Sequence, residues 1–133
     1  MVIDASAAVA LLLGEVEATA FSAAIESDPV RLMPASAVLE SALAIERKYA
    51  LAGASALDEF LRETRVVIVP FGEVELAHAR SAFRTFGKGR HPAGLNFGDC
   101  MVYAACKATG EALLFKGSDF ARADVAAHPA SVA

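Results

Sequence analysis

The sequence predicts a three-layer α/β/α sandwich built on a central parallel sheet. Three observations carry this. Four short aliphatic runs, MVID at 1–4, VRLM at 30–33, VVIV at 66–69 and ALLF at 112–115, have the length and composition of strands. Helical patterns of ten or more residues separate them, and strands joined through such helices pair in parallel by crossover connections. The chain of 133 residues is long enough for one domain with a full core.

Each element has a local reason. MVID ends at Asp4, and Ser6 is placed to cap a following helix. EVEATAFSAAIES at 15–27 suits a second helix, ended by Asp28 and Pro29. VRLM is closed by Pro34. Ser36 then caps a long helix reaching about Gly53, with Val38, Ala42, Ile45 and Tyr49 on one stripe. SALDEFLRET at 55–64 is a further short helix, and VVIV is a β-branched strand stopped by Pro70. Glu73 to Phe86 is helical in pattern, and the basic, glycine-rich loop GKGRHPAGLNFG follows. Asp99 opens a helix that runs to Thr109, with Gly110 as its stop. After ALLF come a short helix near Ser118–Asp124 and an irregular tail. No repeat, linker or low-complexity segment interrupts the pattern.

Composition narrows the class. Hydrophobic residues make up 56% of the chain and mean hydropathy is +0.45, which excludes disorder and predicts a dense interior or an apolar subunit interface. No apolar run approaches the roughly 20 residues of a membrane span. The opening MVIDASAAVALLLG has no basic leader and carries a charge inside its apolar stretch, so no signal peptide is expected. Cys100 and Cys106 have neither CxxC spacing nor a histidine cluster and read as buried free thiols. Reduced thiols place the expected compartment in the cytoplasm. A net charge of −4 and a pI near 5.3 argue against a generic nucleic-acid binder. The distribution is uneven, however. No acid lies between Glu75 and Asp99, where Arg80, Arg84, Lys88 and Arg90 fall. That window is either a solvated helix face with a polar loop or a phosphate-contacting edge.

The acids are the informative residues. Asp4 is the only charge from Met1 to Gly14, Glu40 the only one between Arg31 and Glu46, and Asp99 the only one between Arg90 and Lys107. Taken singly, Asp4 and Asp99 read as helix caps and Glu40 as an exposed helix residue. Ionised carboxylates are seldom buried without a partner, and no Lys or Arg is near any of the three in sequence. In open parallel sheets, sites form beyond the carboxyl ends of the strands. Asp4 ends the first strand, and Asp119 sits in the turn after the fourth. Three isolated acids at element ends point to a shared site. Clustered carboxylates raise one another's pKa values unless a cation compensates. Oxygen ligands without cysteine suit Mg²⁺ or Mn²⁺, which can orient a phosphodiester, stabilise its developing charge and acidify a bound water. Metal-dependent phosphoryl transfer or hydrolysis is therefore the leading class.

The segments VIDASA, ASAVLESA, LNFGDCMVYA and LLFKGSDFARADV, with the loop GKGRHPAGLNFGD, resemble the PIN-domain nucleases, and among them the VapC toxins of bacterial toxin–antitoxin pairs. The resemblance runs nearly end to end and implies one PIN domain over 1–133. It implies that Asp4, Glu40 and Asp99 are the catalytic acids, with Asp4 and Asp99 on Mg²⁺ or Mn²⁺ and Ser6 as the supporting hydroxyl. The fourth acid departs from the pattern. Many members have an aspartate two residues before the Asp-Phe pair, where this chain has Gly117. Asp119 is the substitute that this implies, and Asp124 a weaker one. The implied activity is endonucleolytic hydrolysis of RNA, a structured RNA such as tRNA among the expected substrates, with Arg80, Arg84, Lys88 and Arg90 on the RNA backbone. A homodimer and an antitoxin of the VapB type, which sets a basic side chain among the carboxylates, are the implied partners; no membrane is.

Other classes fit less well. A receiver-type signalling domain needs adjacent acids near the first strand, and Asp4 has none. A haloacid-dehalogenase-like phosphatase needs a second aspartate where Ser6 stands. A PIN fold serving as an RNA-processing or RNA-binding module, without toxin activity, is the remaining alternative.

Overall fold

The computed structural model describes residues 1–133. Four strands, β1 (Val2–Ile3), β2 (Leu32–Pro34), β3 (Val67–Val69) and β4 (Leu113–Leu114), form one sheet in the order β3-β2-β1-β4, every pairing parallel. Val2 lies opposite both Leu32 and Leu113, so β1 is fully flanked. Six helices surround the sheet: α1 (Ala5–Leu12), α2 (Ala18–Ser27), α3 (Ala35–Tyr49), α4 (Leu51–Glu63), α5 (Glu73–Phe86) and α6 (Phe97–Thr109). The architecture is the three-layer α/β/α sandwich. No helix is long and apolar enough to cross a membrane. Both cysteines are free and buried.

Burial follows strand position. Val2, Ile3, Leu113 and Leu114 in the centre of the sheet are completely buried. VVIV, equally apolar, lies at the sheet edge, and Val67 stays 61% exposed. Composition alone could not separate the two cases, because strand order is a long-range property.

Several boundaries differ from the sequence expectation. Asp4, not Ser6, caps α1: its extended backbone ends the strand, and its carboxylate accepts the Ser6 N–H at 2.9 Å. Pro34 completes β2 and occupies the cap position of α3, leaving Ser36 inside the helix with its buried hydroxyl unpartnered. The long helix does not reach Gly53. It breaks at Ala50, whose φ of +51° lies in the left-handed region, and α4 starts at Leu51. Gly53 sits inside α4 because α3 passes very close: a Cβ there would lie 2.7 Å from Ile45 Cγ2 and 2.8 Å from the Ile45 carbonyl oxygen. That glycine permits a helix contact and does not end a helix.

The second helix starts at Ala18, which leaves Glu15 and Glu17 in the preceding turn. The segment near Ser118–Asp124 forms only a short 3₁₀ turn, Phe120–Arg122. The tail is also more ordered than expected. Leu113 bridges Ala127 and Lys116 bridges Val132, both in parallel, so the last residues pair along the outer side of β4. The Leu113 N–H donates to the Ala126 carbonyl at 2.8 Å, and the Gly117 N–H to the Val132 carbonyl at 2.7 Å.

Candidate active site

Asp4, Glu40, Asp99 and Asp119 line one pocket of about 270 Å³, together with Ser6, Asn96 and Lys116. The fold explains how four distant positions meet. Asp4 follows directly on β1, and Glu40 projects from the second turn of α3. Asp99 is in the first turn of α6, and Asp119 precedes the 3₁₀ turn after β4. The pocket lies beyond the carboxyl ends of the parallel strands, where such sheets leave a crevice.

Each carboxylate is held differently. Asp4 is only 8% exposed and accepts from both the N–H and the hydroxyl of Ser6. The Ser6 hydroxyl in turn accepts the Lys116 N–H at 3.0 Å, tying the end of β1 to the loop after β4. Asp99 accepts the Asn96 N–H at 2.9 Å, while the Asn96 side chain accepts the Asp99 N–H. Asn96 caps α6, and Asp99 completes a capping box at the third helical position. Gly98, in the first turn of α6, faces Glu40, and an added Cβ there would come within 3.2 Å of Glu40 Oε2. Glu40 itself has no hydrogen-bond partner.

The electrostatics follow from burial and mutual proximity. Burial pushes the Asp99 carboxyl up from 3.8 to about 6, and the nearby Asp119, Asp4 and Glu40 charges add to the rise while the Asn96 N–H opposes it. Burial raises Asp4, against the two Ser6 hydrogen bonds, with a smaller push from Asp119. Glu40 is an exposed residue, yet partial burial of its carboxyl and the Asp4 charge push it up too. The one cation in the pocket wall does not relieve them. The Lys116 ammonium is 2.7 Å from Glu15 and 2.8 Å from Glu17, and these hydrogen bonds raise its pKa.

The other expected residues lie elsewhere. Asp124 is not in the pocket. Its carboxylate accepts from the Tyr103 hydroxyl at 2.7 Å and pairs with Lys107 at 3.2 Å, and the Tyr103 hydrogen bond lowers its pKa. It braces the chain after the 3₁₀ turn against α6. Asp119 lines the pocket and Gly117 does not; the Gly117 φ of +112° is a conformation that side-chain-bearing residues rarely adopt. Arg80 and Arg84 line a second, apolar groove beside the acidic pocket. Lys88 and Arg90 are exposed in the loop before α6, and none of the four forms an ion pair within the chain.

Asn96, Gly98 and Lys116 are site residues that the sequence reading did not single out. Asn96 carried a signal, since Asn three residues before Asp is a capping pattern. Gly98 and Lys116 carried none.

The residues fit a hard divalent cation. No three His, Cys, Asp or Glu side chains converge as a ready-made metal cage. Mg²⁺ does not need one, because it keeps several waters and binds through one or two carboxylates plus substrate phosphate. The acidic side chains of the pocket offer only oxygen donors, and a cation among them relieves the repulsion that raises Asp4, Glu40 and Asp99.

Comparison with known proteins agrees with this frame. The PIN domain family model matches residues 1–126. The chain is 48% identical over 126 residues to a VapC ribonuclease of Mycobacterium bovis, covering 95% of this chain and 96% of that one. It is equally similar to Ribonuclease VapC30 of Mycobacterium tuberculosis. With Ribonuclease VapC of Mycolicibacterium smegmatis it shares 46% over 127 residues, 96% of this chain and 98% of that one. The fold resembles the crystal structure of Mycobacterium tuberculosis VapC20, a sarcin–ricin loop cleaving toxin, with a TM-score of 0.75, 17% identity and coverage of 93% and 95% of the two chains. With a family match spanning nearly the whole chain and near-half identity to several of its members, this protein belongs to the VapC branch of the PIN-domain family.

Proposed function

We propose that this chain is the ribonuclease toxin of a toxin–antitoxin pair, a cytoplasmic endonuclease that hydrolyses RNA phosphodiester bonds with Mg²⁺ or Mn²⁺. The observation that carries the reading is the acidic pocket, where four carboxylates share one cavity and at least three are destabilised as anions. Such repulsion costs stability unless the pocket serves to attract a cation. The RNA substrate and the VapB-type antitoxin come from the relatives, which are named VapC ribonucleases.

Asp4 and Asp99 would hold the metal, with Glu40 and Asp119 completing the negative wall. When bound, the cation supplies positive charge at the scissile phosphate and makes water a better nucleophile. Ser6 keeps the Asp4 carboxylate aimed, and Asn96 does the same for Asp99. Glu40, free of hydrogen bonds and raised in pKa, is suited to take up a proton at its carboxylate oxygen. Arg80, Arg84, Lys88 and Arg90 hold the RNA backbone. The antitoxin blocks the site by setting a basic side chain among the acids, and the toxin acts as a homodimer.

The test is cleavage of total RNA by purified protein with and without divalent metal, alongside growth of cells expressing the chain without an antitoxin. Metal-dependent fragments and growth arrest are expected. Healthy growth with soluble, RNA-cleaving protein would remove the toxin assignment, and no cleavage in Mg²⁺ or Mn²⁺ would remove the nuclease.

A further inference from the structure

Lys116 lies along α1. Its backbone N–H donates to the Ser6 hydroxyl in the first turn of that helix, at 3.0 Å. Its ammonium reaches the turn beyond the other end of the helix, 2.7 Å from Glu15 and 2.8 Å from Glu17. That turn is fixed on both sides: the Glu15 N–H donates to the Ala10 carbonyl at 2.9 Å, and the Glu15 carbonyl accepts the Ala18 N–H at 3.0 Å. Lys116 is the only cationic residue lining the acidic pocket, and neither glutamate lines it.

This pairing is not the one that the charges at the site favour. Only the Ser6 hydroxyl separates the Lys116 backbone from the Asp4 carboxylate, and Asp119 follows three residues later. A flexible four-carbon stem can turn the ammonium toward either. Asp4 is 8% exposed, so a cation beside it would relieve a buried charge. The Glu15 side chain is 37% exposed and already solvated, which makes its ion pair the weaker choice. Yet the neighbouring charges that act on Asp4, Glu40 and Asp99 are all acidic. Two acids are committed to one lysine while four others share a pocket without a cation. A local arrangement that forgoes the better pairing marks a functional constraint.

We propose that Glu15 and Glu17 form a clasp that withholds the Lys116 ammonium from the acidic pocket and so keeps the pocket open to a divalent cation. The inference rests on the metal-dependent reading of the pocket and adds two positioning residues to it. Without the clasp, Lys116 pairs with Asp4 or Asp119 and competes with the metal for their oxygens.

The experiment measures Mn²⁺ binding by calorimetry without RNA, so that it does not depend on cleavage. Roughly 0.5 M salt screens the field of exposed charges and leaves direct competition in place. Wild type is compared with Glu15→Gln/Glu17→Gln, with Lys116→Met, and with the triple variant, circular dichroism checking each fold. The double variant should bind Mn²⁺ more weakly by on the order of tenfold, and adding Lys116→Met should restore the affinity. Lys116→Met alone should bind at least as tightly as wild type. Unchanged affinity in the double variant overturns the clasp. A loss that Lys116→Met does not restore also overturns it, as does weaker binding by Lys116→Met alone; both would make the cluster a structural brace. A crystal structure of the metal-free double variant should place Nζ against Asp4 or Asp119, and Nζ remaining at positions 15 and 17 or in solvent overturns the proposal. If wild type takes up no Mn²⁺, the metal reading of the pocket fails, and the position of Nζ in that crystal structure decides the clasp by itself.

Discussion

Asn96 and Asp99 hold each other twice, each backbone N–H donating to the other's side-chain oxygen at 2.9 Å. The pair closes the first turn of α6 and at the same time fixes a carboxylate in the acidic pocket. Capping uses Asp99 Oδ2 and leaves Oδ1 without a partner. A cap and a metal ligand are therefore compatible roles for one side chain.

Asp99→Asn should abolish RNA cleavage and keep the fold, because asparagine still offers an oxygen to the Asn96 N–H. The folded-state pKa of about 6 lies above the ordinary 3.8, so the native protein holds this proton more tightly than the unfolded chain does. Stability is then fully present below the ordinary value and is lost as pH rises through about 6. Allowing for solvent screening of this half-buried group, the loss is about 1–2 kcal/mol. In chelator at neutral pH the variant should melt a few degrees above wild type, and the two should converge in acid, as thermal scans across pH would show. An unfolded variant, with Asp4→Asn and Glu40→Gln still cleaving, would reduce Asp99 to a cap.

Ser6→Ala tests the positioning of Asp4. Losing a donor to the ionised form favours the neutral acid, so the Asp4 pKa, already raised by burial, should climb further. The acidic limb of the kcat/KM profile should move to higher pH, and Ser6→Thr should restore it. Stability should drop by about 1 kcal/mol, since the Lys116 N–H also loses its acceptor. A profile that keeps its acidic limb would separate Ser6 from the chemistry.

Arg84→Ala with Lys88→Ala should weaken RNA binding and flatten its dependence on salt. Two lost phosphate contacts reduce the slope of log K against log salt by roughly 1.4 for a single strand. Fluorescence anisotropy in chelator measures it, and an unaltered slope would remove this segment from the RNA surface.

Gly117→Asp places an acid where many PIN-domain relatives have one. At φ +112° a side chain strains the backbone, at a cost of about 1–3 kcal/mol. Thermal denaturation should register the loss, and cleavage should not speed up, because Asp119 already faces the pocket. A faster and equally stable variant would show that position 117 is the better seat for the fourth acid.

Much of the architecture is legible in local pattern. Aliphatic runs and helical periodicity mark strands and helices because each reports an energy spread over a few neighbouring residues. The isolation of Asp4, Glu40 and Asp99 is visible for the same reason, since a lone charge in an apolar stretch has no local partner. The break at Ala50 left no such trace. No glycine or proline stands there, and the tight approach of Gly53 to Ile45 is a contact between two helices.

By itself, then, the sequence determined the parallel α/β class, the elements and the scarcity of charge around three acids. Only the tertiary structure decided which strand became the exposed edge, and which of Asp119 and Asp124 turned toward the pocket. Tyr103 and Lys107 on α6 capture Asp124, and Glu15 and Glu17 capture Lys116 from about a hundred residues away. Those choices depend on partners brought together by burying a common core, and pairwise charge and hydrogen-bond energies at such separations have no signature in local spacing.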